Sequence, residues 1–156
     1  MKINMKITNT KEFNEAAKEM LPDCIDELKK LAAEYHIDPQ DTEDYINGDM
    51  QELATPLQLA IGTIEDAKTT LNTDGVLADW MGTLETMAAT SEELAEKITF
   101  SGLEIKDLLG QILKKAFDSK IQVDDRIVKA AGLQTPLYLG IPGNKEIKKL
   151  IEDFYA

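Results

Sequence analysis

Apolar residues in the first part of the chain recur every three or four positions, the spacing that places them on one face of a helix. This stripe begins at Phe13 and continues to Tyr35. Asn9 or Thr10 can cap its start with a side-chain oxygen. Pro22 lies inside the stripe and has no backbone N–H to donate, so the pattern predicts two helices that share one buried face.

Two further helices are indicated by their start signals. Asp38 directly precedes Pro39, and proline is favoured at the first position of a helix, so a short helix is predicted there. Thr55, Pro56 and Gln58 form a capping-box pattern, in which the threonine and glutamine side chains each satisfy a free backbone N–H. A long helix is therefore predicted from residue 56 to about residue 71.

A polar turn at residues 72–75 separates this long helix from a second apolar stripe at residues 76–88, which predicts a helical hairpin. Trp80 and Met81 lie on the second helix of this hairpin. Gly62 and Gly82 lie on opposite sides of the turn. We therefore expect the two glycines to face each other and to allow close approach of the helices.

The last third of the chain repeats the helical spacing at residues 90–117, 124–131 and 144–154. Thr90 with Glu93 reads as a capping box at the start of this part. Alternating apolar residues occur near the N-terminus and at residues 137–141, and we expect residues 2–7 to pair with residues 137–141. The chain is therefore predicted to be an all-α protein: a compact bundle of five to seven helices in a single domain, residues 1–156, with a minor two-stranded β element.

Composition places the chain among globular proteins. Of its 156 residues, 43% are hydrophobic and 29% are charged. Cys24 is the single cysteine, so no intrachain disulfide can form, which fits a reducing cytoplasm. The sequence has neither a secretory-signal pattern nor an apolar stretch of about 20 residues. We expect a cytoplasmic protein that does not associate with a membrane.

Charge is the most distinctive feature of the sequence. The chain has 17 Lys and Arg residues against 29 Asp and Glu residues, a net charge of −12. Residues 37–66 contain eight acidic residues and no Lys or Arg. Such a surface repels nucleic acid and attracts a basic protein partner. The alternative that the acidic residues only keep the protein soluble stays open.

No residue cluster in the sequence identifies a metal, a cofactor or a reaction. A calcium loop starting at Asp38 would lack its required glycine. His36 and Cys24 cannot complete a zinc site without carboxylates, and they are interpreted as a helix-end residue and a core residue. The glycine-rich residues 140–143 lack the spacing of a phosphate-binding loop and predict a turn before a helix. We therefore expect no catalysis, no metal and no cofactor.

The sequence predicts an interaction protein that binds and masks a basic protein surface, such as that of a nucleic-acid-binding protein. Inhibitors, immunity proteins, antitoxin-like and anti-defence proteins, and assembly chaperones act in this way. The expected partner-binding residues are the eight carboxylates of residues 37–66 and two apolar anchors, namely Asp38, Asp41, Glu43, Asp44, Asp49, Glu52, Glu65, Asp66, Trp80 and Met81.

Two other classes of function stay open. One is a helical ligand-binding domain or a carboxylate-based enzyme, with a pocket between helices that uses Tyr35, Tyr45 or Tyr138. The other is an oligomeric scaffold. A homo-oligomer is compatible with each class.

Overall fold

The computed structural model describes residues 6–156, and these residues form nine α-helices and one two-stranded antiparallel sheet. The helices are α1 (Thr10–Glu19), α2 (Ile25–Glu34), α3 (Pro39–Ile46), α4 (Pro56–Leu71), α5 (Val76–Thr90), α6 (Glu92–Phe100), α7 (Ile105–Asp118), α8 (Asp125–Ala130) and α9 (Asn144–Phe154), and the strands are β1 (Ile121–Val123) and β2 (Leu137–Leu139). The helical class and the minor β element are confirmed. Within residues 6–156, no helix has both the length and the apolar character needed to cross a membrane.

The helices outnumber the five to seven predicted because interruptions within the apolar stripes are complete helix ends. Residues 20–24 around Pro22 separate α1 from α2 as predicted, and residues 101–104 also divide the predicted stripe at residues 90–117 into α6 and α7. Ser91 lies between α5 and α6, and its side-chain oxygen accepts the Leu94 N–H at 3.1 Å. Ser91 therefore caps α6, so the predicted cap at Thr90 is wrong by one residue.

The starts of α1 and α4 follow the predicted local signals. The Asn9 side chain accepts the Glu12 N–H at 2.8 Å and caps α1. Thr55 and Gln58 form the predicted capping box at the start of α4, with distances of 3.1 and 2.8 Å. Each of these contacts joins residues three positions apart in sequence.

The chain divides into two compact units. Unit 1 extends to Ile105 and also contains Tyr155, whereas unit 2 comprises Lys106–Phe154 and Ala156. Unit 2 contains nine basic and seven acidic residues, so the other eight basic and 22 acidic residues lie outside it. The net negative charge of the chain is therefore carried by unit 1.

Unit 1 is built around a core to which α1, α2, α3 and α4 contribute. Phe13 and Leu28 have no exposed surface in this core. The Phe13 ring lies 4.9 Å from the Tyr35 ring, and the Tyr35 ring lies 5.9 Å from the Phe100 ring, measured between centroids. Such aromatic pairs stabilise the packing beyond the burial of their area.

Unit 2 contains the sheet, and one of its two strands, β1, is not among the predicted segments. Residues 137–139 form β2 as expected, but β2 pairs with β1 in the register Ile121 to Leu139. Lys6 and Ile7 lie in irregular structure, and residues 2–5 of the predicted first strand lie outside the described residues. With only three residues, β1 is too short to show the alternation that indicates a strand.

Candidate functional site

A surface groove of about 580 Å³ lies between the α2–α3 connection and α4 in unit 1. Apolar side chains from both segments line it, namely Ile37, Leu57 and Ile61. Four carboxylates also line it, namely Asp38, Asp41, Glu65 and Asp66. We call this feature the acidic groove. Its lining combines apolar and anionic groups.

The groove depends on a close approach between α4 and the end of α2. A Cβ added at Gly62 would lie 3.0 Å from the His36 carbonyl oxygen and 3.1 Å from the His36 Cβ. Only glycine leaves room for this contact without a shift of the neighbouring backbone. Gly82 has no neighbour within 4 Å of an added Cβ, so the predicted contact between Gly62 and Gly82 is wrong.

His36 follows α2 and turns the chain toward the groove. Its φ of 61° lies in the left-handed region, a common conformation at the end of a helix. The imidazole Nε2 lies 3.7 Å from the Asp66 Oδ2. The end of α2 and the middle of α4 therefore also meet through polar atoms.

One lysine offsets part of the negative charge at the edge of the groove. The Lys68 Nζ lies 3.1 Å from the Glu65 carboxylate and 2.5 Å from the Glu85 carboxylate. Hydrogen bonding, first with Glu85 and then with Lys68, holds the pKa of Glu65 below its usual value. The hydrogen bond to Glu85 is the main cause that raises the pKa of Lys68. Lys68 therefore lies between two carboxylates, one on α4 and one on α5.

Asp38 and Asp41 place carboxylates on the opposite side of the groove. Asp38 caps α3 by accepting the Gln40 N–H at 2.7 Å, and its side chain is exposed. Asp41 lies in the first turn of α3 and is half-buried. A carboxylate at the start of a helix interacts favourably with the helix dipole, so these positions suit aspartate.

The four other predicted carboxylates lie outside the acidic groove. The Glu43 carboxylate forms an ion pair of 3.2 Å with Lys29. Asp44 accepts a 2.9 Å hydrogen bond from a glutamine amide on its own helix. Asp49 is exposed after α3, and Glu52 lines a second cavity. The structure therefore brings together half of the predicted acidic set.

The two predicted apolar anchors are core residues. Trp80 is 4% exposed and Met81 is fully buried, so neither presents a surface to a partner. The apolar stripe of α5 carries both side chains into the interior of unit 1, as helical apolar residues usually do. Leu57, which is 36% exposed in the first turn of α4, supplies apolar surface instead. Leu57 has the same helical spacing as the buried residues Ala60 and Ile64 of α4, so no local signal in the sequence distinguishes it.

The second cavity in unit 1 has a volume of about 600 Å³ and is lined by polar groups that already contact each other. The Thr10 N–H and hydroxyl both donate to the Glu96 carboxylate. The Asn14 side chain exchanges two hydrogen bonds with the Ala54 backbone, at 2.9 and 3.1 Å. These contacts join α1 to α6 and to the segment before α4, so the polar side chains here have a structural role.

No family model, curated protein or solved structure matches the chain. In the part of the chain that the structure describes, no three His, Cys, Asp or Glu side chains converge to hold a metal ion. The acidic groove can receive a cationic side chain at its carboxylates and an apolar group on Ile37, Leu57 and Ile61. Its chemistry therefore favours a ligand that carries both kinds of group.

Proposed function

We propose that this chain is an interaction protein whose acidic groove binds and masks a basic surface of a partner protein. One observation carries the proposal: four carboxylates and an apolar floor line the same groove in a unit with a large excess of acidic residues. A surface that served only for solubility would not require apolar residues among its carboxylates.

The recognition chemistry follows from the two kinds of lining group. Lysine and arginine side chains of the partner pair with Asp38, Asp41, Glu65 and Asp66. Their aliphatic stems, and apolar residues next to them, cover the floor. A basic amphipathic helix or strand satisfies both requirements. The acidic residues outside the groove add a long-range field that steers a basic partner and speeds association.

Masking is the expected consequence for the partner. A basic surface that is held in the groove is withheld from any polyanion that would otherwise bind it. An inhibitor, an immunity or antitoxin-like protein, or an assembly chaperone acts on a nucleic-acid-binding protein in this manner. The partner therefore has an accessible segment that is both basic and apolar.

Two variants of equal net charge test this proposal. The groove variant carries Asp41→Asn, Glu65→Gln and Asp66→Asn, which neutralise three lining carboxylates. The control variant neutralises three carboxylates of unit 1 that do not line the groove, namely Glu19→Gln, Asp23→Asn and Asp74→Asn. Both variants have the same overall charge, so their long-range attraction to a cation is similar.

The measurement is the Kd of a fluorescent amphipathic peptide of lysine and leucine, taken by anisotropy at low and high salt. Exposed ion pairs contribute about 0.5 kcal/mol each, so loss of three should weaken binding about tenfold. We expect this loss in the groove variant and a smaller loss in the control. Equal Kd values for the two variants would contradict the proposal and favour a purely solubilising role for the acidic residues.

A further inference from the structure

Unit 2 exposes an unusual amount of apolar surface. Of the twelve large apolar side chains that are strongly exposed among residues 6–156, eight belong to unit 2. Five of these, 49–72% exposed, lie on α7, β1 and β2 and on the residues that follow β2, namely Leu113, Phe117, Ile121, Leu139 and Ile141. We call them the unit 2 apolar surface. Large exposed apolar patches usually mark interaction sites.

The fold places the segments that carry these five side chains next to each other. Leu113 and Phe117 are one helical turn apart on α7. Ile121 lies directly opposite Leu139 in the sheet, so their side chains project from the same face. Gly140 packs against the end of α7, since an added Cβ would lie 2.0 Å from the Ala116 carbonyl oxygen.

Basic groups accompany this apolar surface. The Lys120 Nζ lies 4.2 Å from the centroid of the Phe117 ring, so a cation borders the most exposed aromatic side chain. Lys114 is exposed between Leu113 and Phe117 on α7. Unit 2 also has more basic than acidic residues, the opposite of unit 1.

We infer that the unit 2 apolar surface of one chain docks into the acidic groove of a second copy. This inference rests on the proposed function, because it requires that the groove accept a basic and apolar surface. Unit 2 carries such a surface, so the chain itself provides the ligand that the groove favours. Phe117 or Ile121 would cover the apolar floor, while Lys120 would approach the carboxylates of the groove.

A contact between two different surfaces is heterologous, and each copy then keeps one free groove and one free apolar surface. Assembly therefore continues with concentration into a ring or a chain of copies, and it competes with a basic partner for the groove. A second copy fits this surface better than an anionic membrane does, because such a membrane would repel the large excess of acidic residues in unit 1.

Two variants, each lacking one half of the contact, test the inference. The surface variant carries Phe117→Asp, and the groove variant is the triple substitution Asp41→Asn, Glu65→Gln and Asp66→Asn. A control, Tyr138→Asp, places the same new charge on the other face of the sheet. Tyr138 pairs with Gln122, and this pair is next to the pair of Ile121 and Leu139, so its side chains project from the opposite face. Circular dichroism verifies that each variant keeps its helical content.

The measurement is the weight-average mass by sedimentation at low and high salt over a wide range of protein concentration. The wild-type chain and the Tyr138→Asp control should at least double their mass at high concentration and low salt, and lose this association at high salt. The surface and groove variants should each remain monomeric. An equimolar mixture of the two should form a heterodimer that grows no further, since only one intact groove and one intact apolar surface can meet.

Four outcomes would overturn the inference. A wild-type chain that stays monomeric while it binds the lysine–leucine peptide would refute self-docking and leave the proposed function standing. A monomeric chain that fails to bind the peptide would refute both. A groove variant that still dimerises would show that two apolar surfaces pair with each other, and binding of wild-type chain to anionic vesicles without self-association would assign the surface to membranes.

Discussion

Replacement of Gly62 by alanine tests the helix contact that shapes the acidic groove. An added Cβ would lie 3.0 Å from the His36 carbonyl oxygen and 3.4 Å from the Tyr35 carbonyl oxygen. Both neighbours are backbone atoms, which can move only if the end of α2 moves. Gly82 provides a matched control, because it also lies within a helix of unit 1 and an added Cβ there meets nothing within 4 Å.

The two substitutions should change the free energy of unfolding by different amounts. Alanine is favoured over glycine in a helix interior by about 1 kcal/mol, so Gly82→Ala should raise the free energy of unfolding by about that amount. At Gly62 the same gain is opposed by overpacking against the end of α2, which costs about 1–3 kcal/mol. The Gly62→Ala protein should therefore be less stable than the Gly82→Ala protein by about 1–3 kcal/mol.

Urea unfolding measured by tryptophan fluorescence gives this difference directly. Trp80 is the only tryptophan of the chain and is buried in unit 1, so its emission reports the unfolding of the unit that contains both glycines. The unfolding midpoint of the Gly62→Ala protein should lie well below that of the Gly82→Ala protein. Equal stabilisation by both substitutions would mean that α4 does not approach His36 as described.

Three further predictions concern particular residues. Thr55→Ala should lower the free energy of unfolding by about 1 kcal/mol in the same urea assay, because it removes the capping oxygen that accepts the Gln58 N–H. Burial raises the pKa of Tyr155 from 10.0 to about 12, so its contribution to stability is complete below pH 10 and is lost as the pH rises toward 12. The difference in unfolding free energy between wild type and Tyr155→Phe should therefore change by up to about 3 kcal/mol over that interval. Gly140→Ala should speed amide hydrogen exchange in β1 and β2, because the new methyl would collide with the Ala116 carbonyl oxygen; unchanged exchange would contradict the packing of β2 on α7.

Features that depend on neighbouring residues could be predicted from the sequence. The caps formed by Asn9, Asp38 and Thr55 act on N–H groups two or three positions ahead, so a short motif contains the whole interaction. The division of the first stripe at Pro22 is equally local, because proline removes a donor from its own helix. These signals predicted the starts of α1, α3 and α4 correctly.

Features that depend on distant residues could not be predicted. The partner of β2 is β1, which lies closer in sequence than the alternating N-terminal residues but has only three residues. The exposure of Leu57 and the burial of Trp80 depend on how α4 and α5 pack, since both lie on apolar stripes of similar appearance. Gly62 does allow a close approach of two segments, as predicted, but its neighbour is His36 rather than Gly82.

The acidic groove depends both on residues that are neighbours in sequence and on residues that are distant in sequence. The excess of carboxylates in residues 37–66 is visible in the sequence, and it predicts an anionic surface wherever these residues fold. Which of them meet depends on the contact between the α2–α3 connection and α4, which no local pattern encodes. Asp41 and Glu65 are 24 positions apart in sequence yet line one groove, whereas Glu43 pairs with Lys29 outside it.

Residue-resolved NMR with the lysine–leucine peptide measures where a basic ligand binds. If the acidic groove is the binding site, the amide signals of Ile37, Ile61 and Gly62 should shift on titration, and the groove variant should lose these shifts while the charge-matched control keeps them. Small shifts spread over exposed acidic positions such as Asp49 and Asp74, with Ile61 and Gly62 unchanged, would show diffuse attraction to an acidic surface and contradict a defined binding groove.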